Sequence, residues 1–142
     1  MDPRTIFLPV SGLVASTFLV LGLIPYRRFR AAGRGLVTPD DFDYGESPSV
    51  PYEVSLPNRN LMNLLEVPIL FYLGSILVFL LDEVDKTFLS MSWAYVALRV
   101  VHSSIHLTYN KTQHRLVPYG LSNLLLSAFW IRLTFTLVQH LY

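Results

Sequence analysis

The stretch from Thr5 to Tyr26 contains no charged residue. At ~1.5 Å of rise per residue, a helix of that length crosses a hydrocarbon core of ~30 Å. Three further apolar runs follow. Asn60 to Leu81 is broken by Glu66 and Pro68, Thr87 to Asn110 carries a polar stripe, and Leu116 to Tyr142 is interrupted by Arg132 and His140. Composition points the same way: 52% of the residues are hydrophobic and only 15% are charged. Such a balance suits a small integral membrane protein better than a soluble domain. The sequence therefore predicts an all-α integral membrane protein of one domain. Its four transmembrane helices cover about residues 5–27, 57–82, 87–110 and 117–140, with a long loop over about 28–56. The first run makes a poor secretory signal, because Asp2 and a single Arg4 flank it and Pro25-Tyr26-Arg27-Arg28 lacks small residues for cleavage. A retained helix is expected.

Charge and cysteine content exclude several functions. Net charge is +1, so no broad basic face is available for nucleic acid. The absence of cysteine excludes disulfides, thiolate metal sites and a cysteine nucleophile. Any thiol chemistry must use a thiol supplied by a ligand.

Arg27, Arg28, Arg30 and Arg34 follow the first run closely. Thr38 to Pro57, rich in proline and acids, reads as an extended surface loop whose acidic cluster is solvated. Ser55 and Pro57 are suited to start the second helix, as cap and first-turn proline. The turn from Asp82 to Lys86 is net acidic, whereas the first and third loops carry the basic residues nearest the membrane. The positive-inside rule then places loops one and three in the cytoplasm and both termini outside.

The chemistry is concentrated between Trp93 and Pro118. On a helical wheel Arg99, His102, His106, Tyr109, Asn110 and Gln113 fall within an arc of about 100°. Arg115 lies just past them. On the second helix, Arg59, Asn63 and Glu66 fall within about 60°. The two helices run antiparallel, which brings Glu66 level with His102 and close to Arg99. An unpaired charge at that depth costs ~2.5–3.5 kcal/mol. Glu66 is therefore expected to pair with Arg99 or His102, within one chain or across a subunit boundary.

Such a pair is either a clamp between helices or the floor of a polar pocket open to the cytoplasm. Arg59, Tyr109, Asn110 and Arg115 form a ladder of donors toward the interface and favour the pocket. The spacing of His102 and His106 suits two metal ligands on one helix face. However, an arginine on the same stripe repels a cation and no second histidine pair is nearby, so no metal is expected. Arg132 reads as snorkelling or paired. Trp93, Trp130, Tyr95 and Tyr142 read as interface anchors or packing.

At these residues the chain resembles the MAPEG family, the membrane-associated proteins of eicosanoid and glutathione metabolism. The resemblance lies in Arg59-x3-Asn63-x2-Glu66, in Tyr109 followed by Arg115-Leu116-x-Pro118, and, toward the bacterial branch, in Arg99-x2-His102-x3-His106-x2-Tyr109-Asn110. It implies a MAPEG-like four-helix bundle assembled as a homotrimer, with sites between neighbouring subunits, and a bacterial inner membrane as its location. It also implies glutathione as thiol cosubstrate, held by Arg59, Asn63, Glu66 and Tyr109, with Arg115 stabilising the thiolate. Arg99, His102, His106 and Asn110 would complete the binding set, and Tyr109 would join Arg115 in catalysis. A lipophilic cosubstrate would arrive from the bilayer lipids. Val67 stands where many eicosanoid-type members have tyrosine, which argues against an eicosanoid substrate. The expected activity is a glutathione (or related thiol) transferase or peroxidase acting on lipophilic electrophiles. The competing readings are a non-catalytic subunit of a larger membrane complex and a lipid-binding scaffold.

Overall fold

The computed structural model describes the backbone of residues 2–141 and side chains up to Gln139. Tyr142 lies outside the described residues. Among these residues the chain is all-helical, with α1 Phe7–Ala32, α2 Tyr52–Leu65, α3 Pro68–Leu80, α4 Lys86–Leu107 and α5 Thr112–Leu141. Helices α2 and α3 form one broken rod, so the bundle has four rods. Three of them, Pro3–Ala32, Tyr52–Leu80 and Thr112–Gln139, are long and apolar enough to cross a membrane. The remaining rod, α4, is 22 residues long, or about 33 Å. Arg99, His102 and His106 make it less apolar, but all three are buried among the other helices.

The bundle is apolar on the outside as well as the inside. Phe18, Leu19, Leu80, Leu124 and Phe135 all point outward. Water would penalise that surface, whereas lipid does not. Inside, α4 packs against α1, α2 and α5. One core layer joins Leu13, Val20, Leu64, Phe71, Tyr95 and Leu126, and a second joins Ile6, Val78, Phe88, Phe129 and Leu133. Gly74 sits where α3 meets α5, and a Cβ there would lie 2.9 Å from Phe129 Cε1. Only a hydrogen fits at that crossing.

Several boundaries differ from expectation. Helix α1 runs past Arg27, Arg28 and Arg30 to Ala32, and the loop after it is folded rather than extended. Val37, Val50 and Val54 pack with Ala31 into a small core that Phe42 also joins. Arg28 ties the loop down, with its guanidinium 4.1 Å from the centre of the Phe42 ring and a 3.0 Å ion pair to Glu46. The acid Asp41 is held by the Thr38 backbone N–H and the Ser49 hydroxyl. Those bonds, the Thr38 backbone first, hold its carboxyl below the usual value.

Helix α2 begins at Tyr52, with Pro51 as its cap, and not at Pro57. Ser55 is buried and caps nothing, and Pro57 lies within the helix. A proline there removes the N–H that would bond the Glu53 carbonyl. Arg27 replaces it: Nη1 donates to the Glu53 carbonyl at 2.7 Å, and Nη2 to the Leu107 carbonyl at the end of α4 at 2.9 Å. One arginine thus satisfies acceptors on two helices.

At the opposite end of the bundle, Asp85 caps α4 by accepting the Phe88 N–H at 2.8 Å and pairs with Arg132. The guanidinium of Arg132 lies 4.3 Å over the Phe88 ring, so of the two expected readings, snorkelling or pairing, the residue takes the paired one. Burial alone would raise the Asp85 carboxyl, but the Phe88 N–H and Arg132 outweigh it and hold it below its ordinary 3.8. A depressed carboxylate stabilises the fold above its ordinary pKa and loses that contribution as pH falls through the folded value. The pair is partly exposed, so the effect is at most ~1 kcal/mol. Thermal unfolding of wild type and Arg132→Gln in detergent should therefore differ at neutral pH and converge below about pH 4. A difference that stays constant across this range would show that the Asp85 charge is not involved.

Candidate functional site

The site is built on two helix irregularities. The first is the break between α2 and α3. Pro68 at the start of α3 cannot donate to the Leu64 carbonyl, and Glu66 takes a non-helical φ of −80° and ψ of −89°. The break frees carbonyls in the last turn of α2. Arg99, fully buried on α4, donates Nη2 to the carbonyl of Asn63. This corrects the expected intrachain pair with Glu66. Among the described residues Glu66 forms no ion pair with Arg99 or His102, and its side chain points outward at the break. A freed main-chain carbonyl, which cannot turn away, takes the guanidinium instead.

The second irregularity is the turn between α4 and α5. Helix α4 ends at Leu107 and not at Asn110, where Asn110 adopts φ +45° and its N–H returns to the Ile105 carbonyl at 2.9 Å. Asparagine tolerates this left-handed conformation better than most residues. The turn places Arg115 in the first turns of α5, where Nη1 donates to Asn110 Oδ1 at 2.8 Å. The backbone carbonyl of Arg115 lies 2.9 Å from His102 Nδ1. A carbonyl only accepts, so Nδ1 carries the proton and Nε2 is left as an acceptor. That Nε2 is buried and has no partner among the described residues.

A cleft of about 190 Å³ opens where these elements meet, lined by Asn63, His102, Thr112, Arg115, Leu116 and Tyr119. The ring of Tyr119 lies 5.4 Å from that of His102 and 5.6 Å from the Arg99 guanidinium carbon. The structure thus brings together three of the expected residues, Asn63, His102 and Arg115, with Asn110 and Arg99 directly behind them. Arg115 uses one of its five N–H donors within the chain, in the bond to Asn110. The cleft presents the Arg115 guanidinium beside the start of α5, an arrangement that favours an anionic ligand.

The other expected residues lie elsewhere. Arg59 is exposed and lines a separate cleft with Glu46, Ser47 and Tyr52. Tyr109 falls beyond the end of α4, is exposed, and contacts His114, with its hydroxyl 3.3 Å from Nδ1. His106 is buried, with its ring centre 5.8 Å from that of His102. Among the described residues no third histidine or acid joins these two histidines in a group able to hold a metal ion.

Two residues of the site were not read from the sequence. Tyr119 sits four residues past Arg115, on the same helix face, and that spacing was the available signal. Asn60, fully buried, accepts from the Ser103 hydroxyl at 3.1 Å. It lies next to Arg59, and only the rotation of α2 decides which of the two faces inward.

The model of the MAPEG family matches residues 6–135, nearly the whole chain. The chain belongs to the MAPEG family. Its outward apolar surface and three spanning-length helices are those of a MAPEG-type integral membrane bundle. Members of the family generally use glutathione, and membership places the chain among membrane proteins of that general chemistry. No curated protein and no solved structure matches the chain.

Proposed function

We propose that the protein is a membrane transferase or peroxidase that uses glutathione, or a related thiol, on lipophilic electrophiles. The observation that carries this reading is the convergence of Arg115, His102, Asn63 and Tyr119 on one cleft at the first turns of α5. A fixed guanidinium beside a helix start favours the thiolate over the thiol and so supplies the nucleophile. In the transferase reaction, the sulfur pair forms a carbon–sulfur bond while the electrophile releases its leaving group or takes up a proton. The electrophile reaches the site laterally from the bilayer.

A cleft of about 190 Å³ is small beside the ~300–1,000 Å³ typical of ligand sites. One chain therefore holds only part of a tripeptide. Arg59, Glu66 and Tyr109 lie outside this cleft on exposed surface. A homotrimer with sites between neighbours gives these residues a use, because each chain then offers one set to the cleft of the next. In this reading the arginine-rich loop end faces the cytoplasm and both termini lie outside, in a bacterial inner membrane.

Titration of the purified protein with glutathione by calorimetry, with thiolate absorbance recorded in parallel, tests the reading. Saturable binding with a thiolate signal is expected. No binding at millimolar glutathione would move the function to a scaffold or accessory role, with the folded α1–α2 loop and its fully exposed Tyr44 as the docking surface.

A further inference from the structure

A third cleft, of about 430 Å³, opens at the same end of the bundle between the end of α1, the start of α2 and the end of α4. It shares no lining residue with the cleft that holds Arg115. Arg27, Arg30 and Arg34 line it, against the one carboxylate of Glu53. Its apolar walls include Leu23, Leu56 and Leu107. We propose that this cleft binds the headgroup phosphate of an anionic phospholipid.

Three observations support the assignment. First, the arginines differ in role. Arg27 is committed to the Glu53 and Leu107 carbonyls and holds the walls together. The side chains of Arg30 and Arg34 are exposed and make no hydrogen bond or ion pair among the described residues. Second, Arg34 is not on a loose tail. Its N–H bonds the Ala31 carbonyl at 3.0 Å, and Gly35 at φ +70° lets the Leu36 N–H return to that same carbonyl. A side chain at Gly35 would strain this turn.

Third, the cleft stands at the level where a headgroup would lie. Arg27 comes twenty residues after Phe7, or about 30 Å along the helix, the thickness of a hydrocarbon core. Leu19, Leu23, Tyr26 and Arg30 fall on one face of α1. That face gives an acyl chain an apolar track, an aromatic at the interface, and a guanidinium above it. Guanidinium forks bind phosphate oxygens in pairs, and basic pockets beside transmembrane helices suit anionic headgroups. The cleft does not depend on the thiol reading of the Arg115 site.

The test is lipid retention by the full-length protein in detergent, read by native mass spectrometry after incubation with phosphatidylglycerol or phosphatidylcholine. Wild type should retain phosphatidylglycerol with a preference of about ten- to thirty-fold, the scale expected for two interfacial arginines. The double variant R30Q/R34Q should lose the preference, while R4Q, at the other end of α1, should keep it. High salt should weaken the preference in wild type, which tests the charge without any substitution. Equal retention of the two lipids, or an unchanged preference in R30Q/R34Q, would overturn the proposal. So would displacement of the lipid by glutathione, which would assign the cleft to the thiol site.

Discussion

Arg115→Ala is expected to abolish the thiolate absorbance of bound glutathione and to lower kcat by ~10²–10³-fold, the loss typical when one preorganised donor to a developing or fixed anion is removed. The fold should survive. The group that holds His102 is the Arg115 backbone carbonyl, which alanine retains, and the side chain makes a single bond, to Asn110. Arg115→Lys keeps the charge but loses the planar fork, so it should restore part of the thiolate signal and less of the rate. Stopped-flow absorbance and steady-state kinetics on both variants decide the matter. Turnover and thiolate formation unchanged in Arg115→Ala would remove this residue from the mechanism.

Phe129→Ala is the structural counterpart. Phe129 is almost fully buried, with its ring 5.0 Å from that of Phe88 on α4 and 6.4 Å from that of Phe71 on α3. It also fills the space that Gly74 leaves open. One side chain therefore joins α3, α4 and α5. In lipid the lost ring is not traded for water, so the transfer part of the usual penalty is small. The cavity and the lost dispersion contacts remain and are worth ~2–3 kcal/mol. Phe129→Leu should cost about half as much, since it fills part of the cavity. Unfolding in mixed micelles measures both. A loss below ~0.5 kcal/mol in Phe129→Ala would mean that the helices close the gap, since the cost of a cavity depends on how well its walls collapse.

The fold was largely legible in the sequence. Long apolar runs of about twenty residues or more satisfy their backbone in lipid as helices, so four runs became four rods. The inward stripe of Arg99, His102 and His106 was legible for a related reason. Side chains that repeat at helical spacing share a face, and polar groups in lipid turn toward protein. The start of the fourth helix was less legible: the polar residues before Leu116 suggested a turn, but α5 begins at Thr112 and takes Arg115 into its first turns.

What the sequence could not decide was where the helices break and which partner each charge takes. Pairing Glu66 with Arg99 followed from depth alone, because a sequence lists charges but not freed carbonyls. The kink at Pro68 exposed the carbonyl of Asn63, and Arg99 took it. Pro57 did the same for Glu53, and Arg27 answered from a different helix. Composition made the loop after α1 look solvated, yet four aliphatic side chains scattered through it and its flanks meet only when it folds back. In each case the deciding quantity was an unmet main-chain acceptor or a small apolar contact. Both depend on neighbours distant in sequence, so tertiary structure alone assigned Arg99, Arg27 and Tyr119 their places.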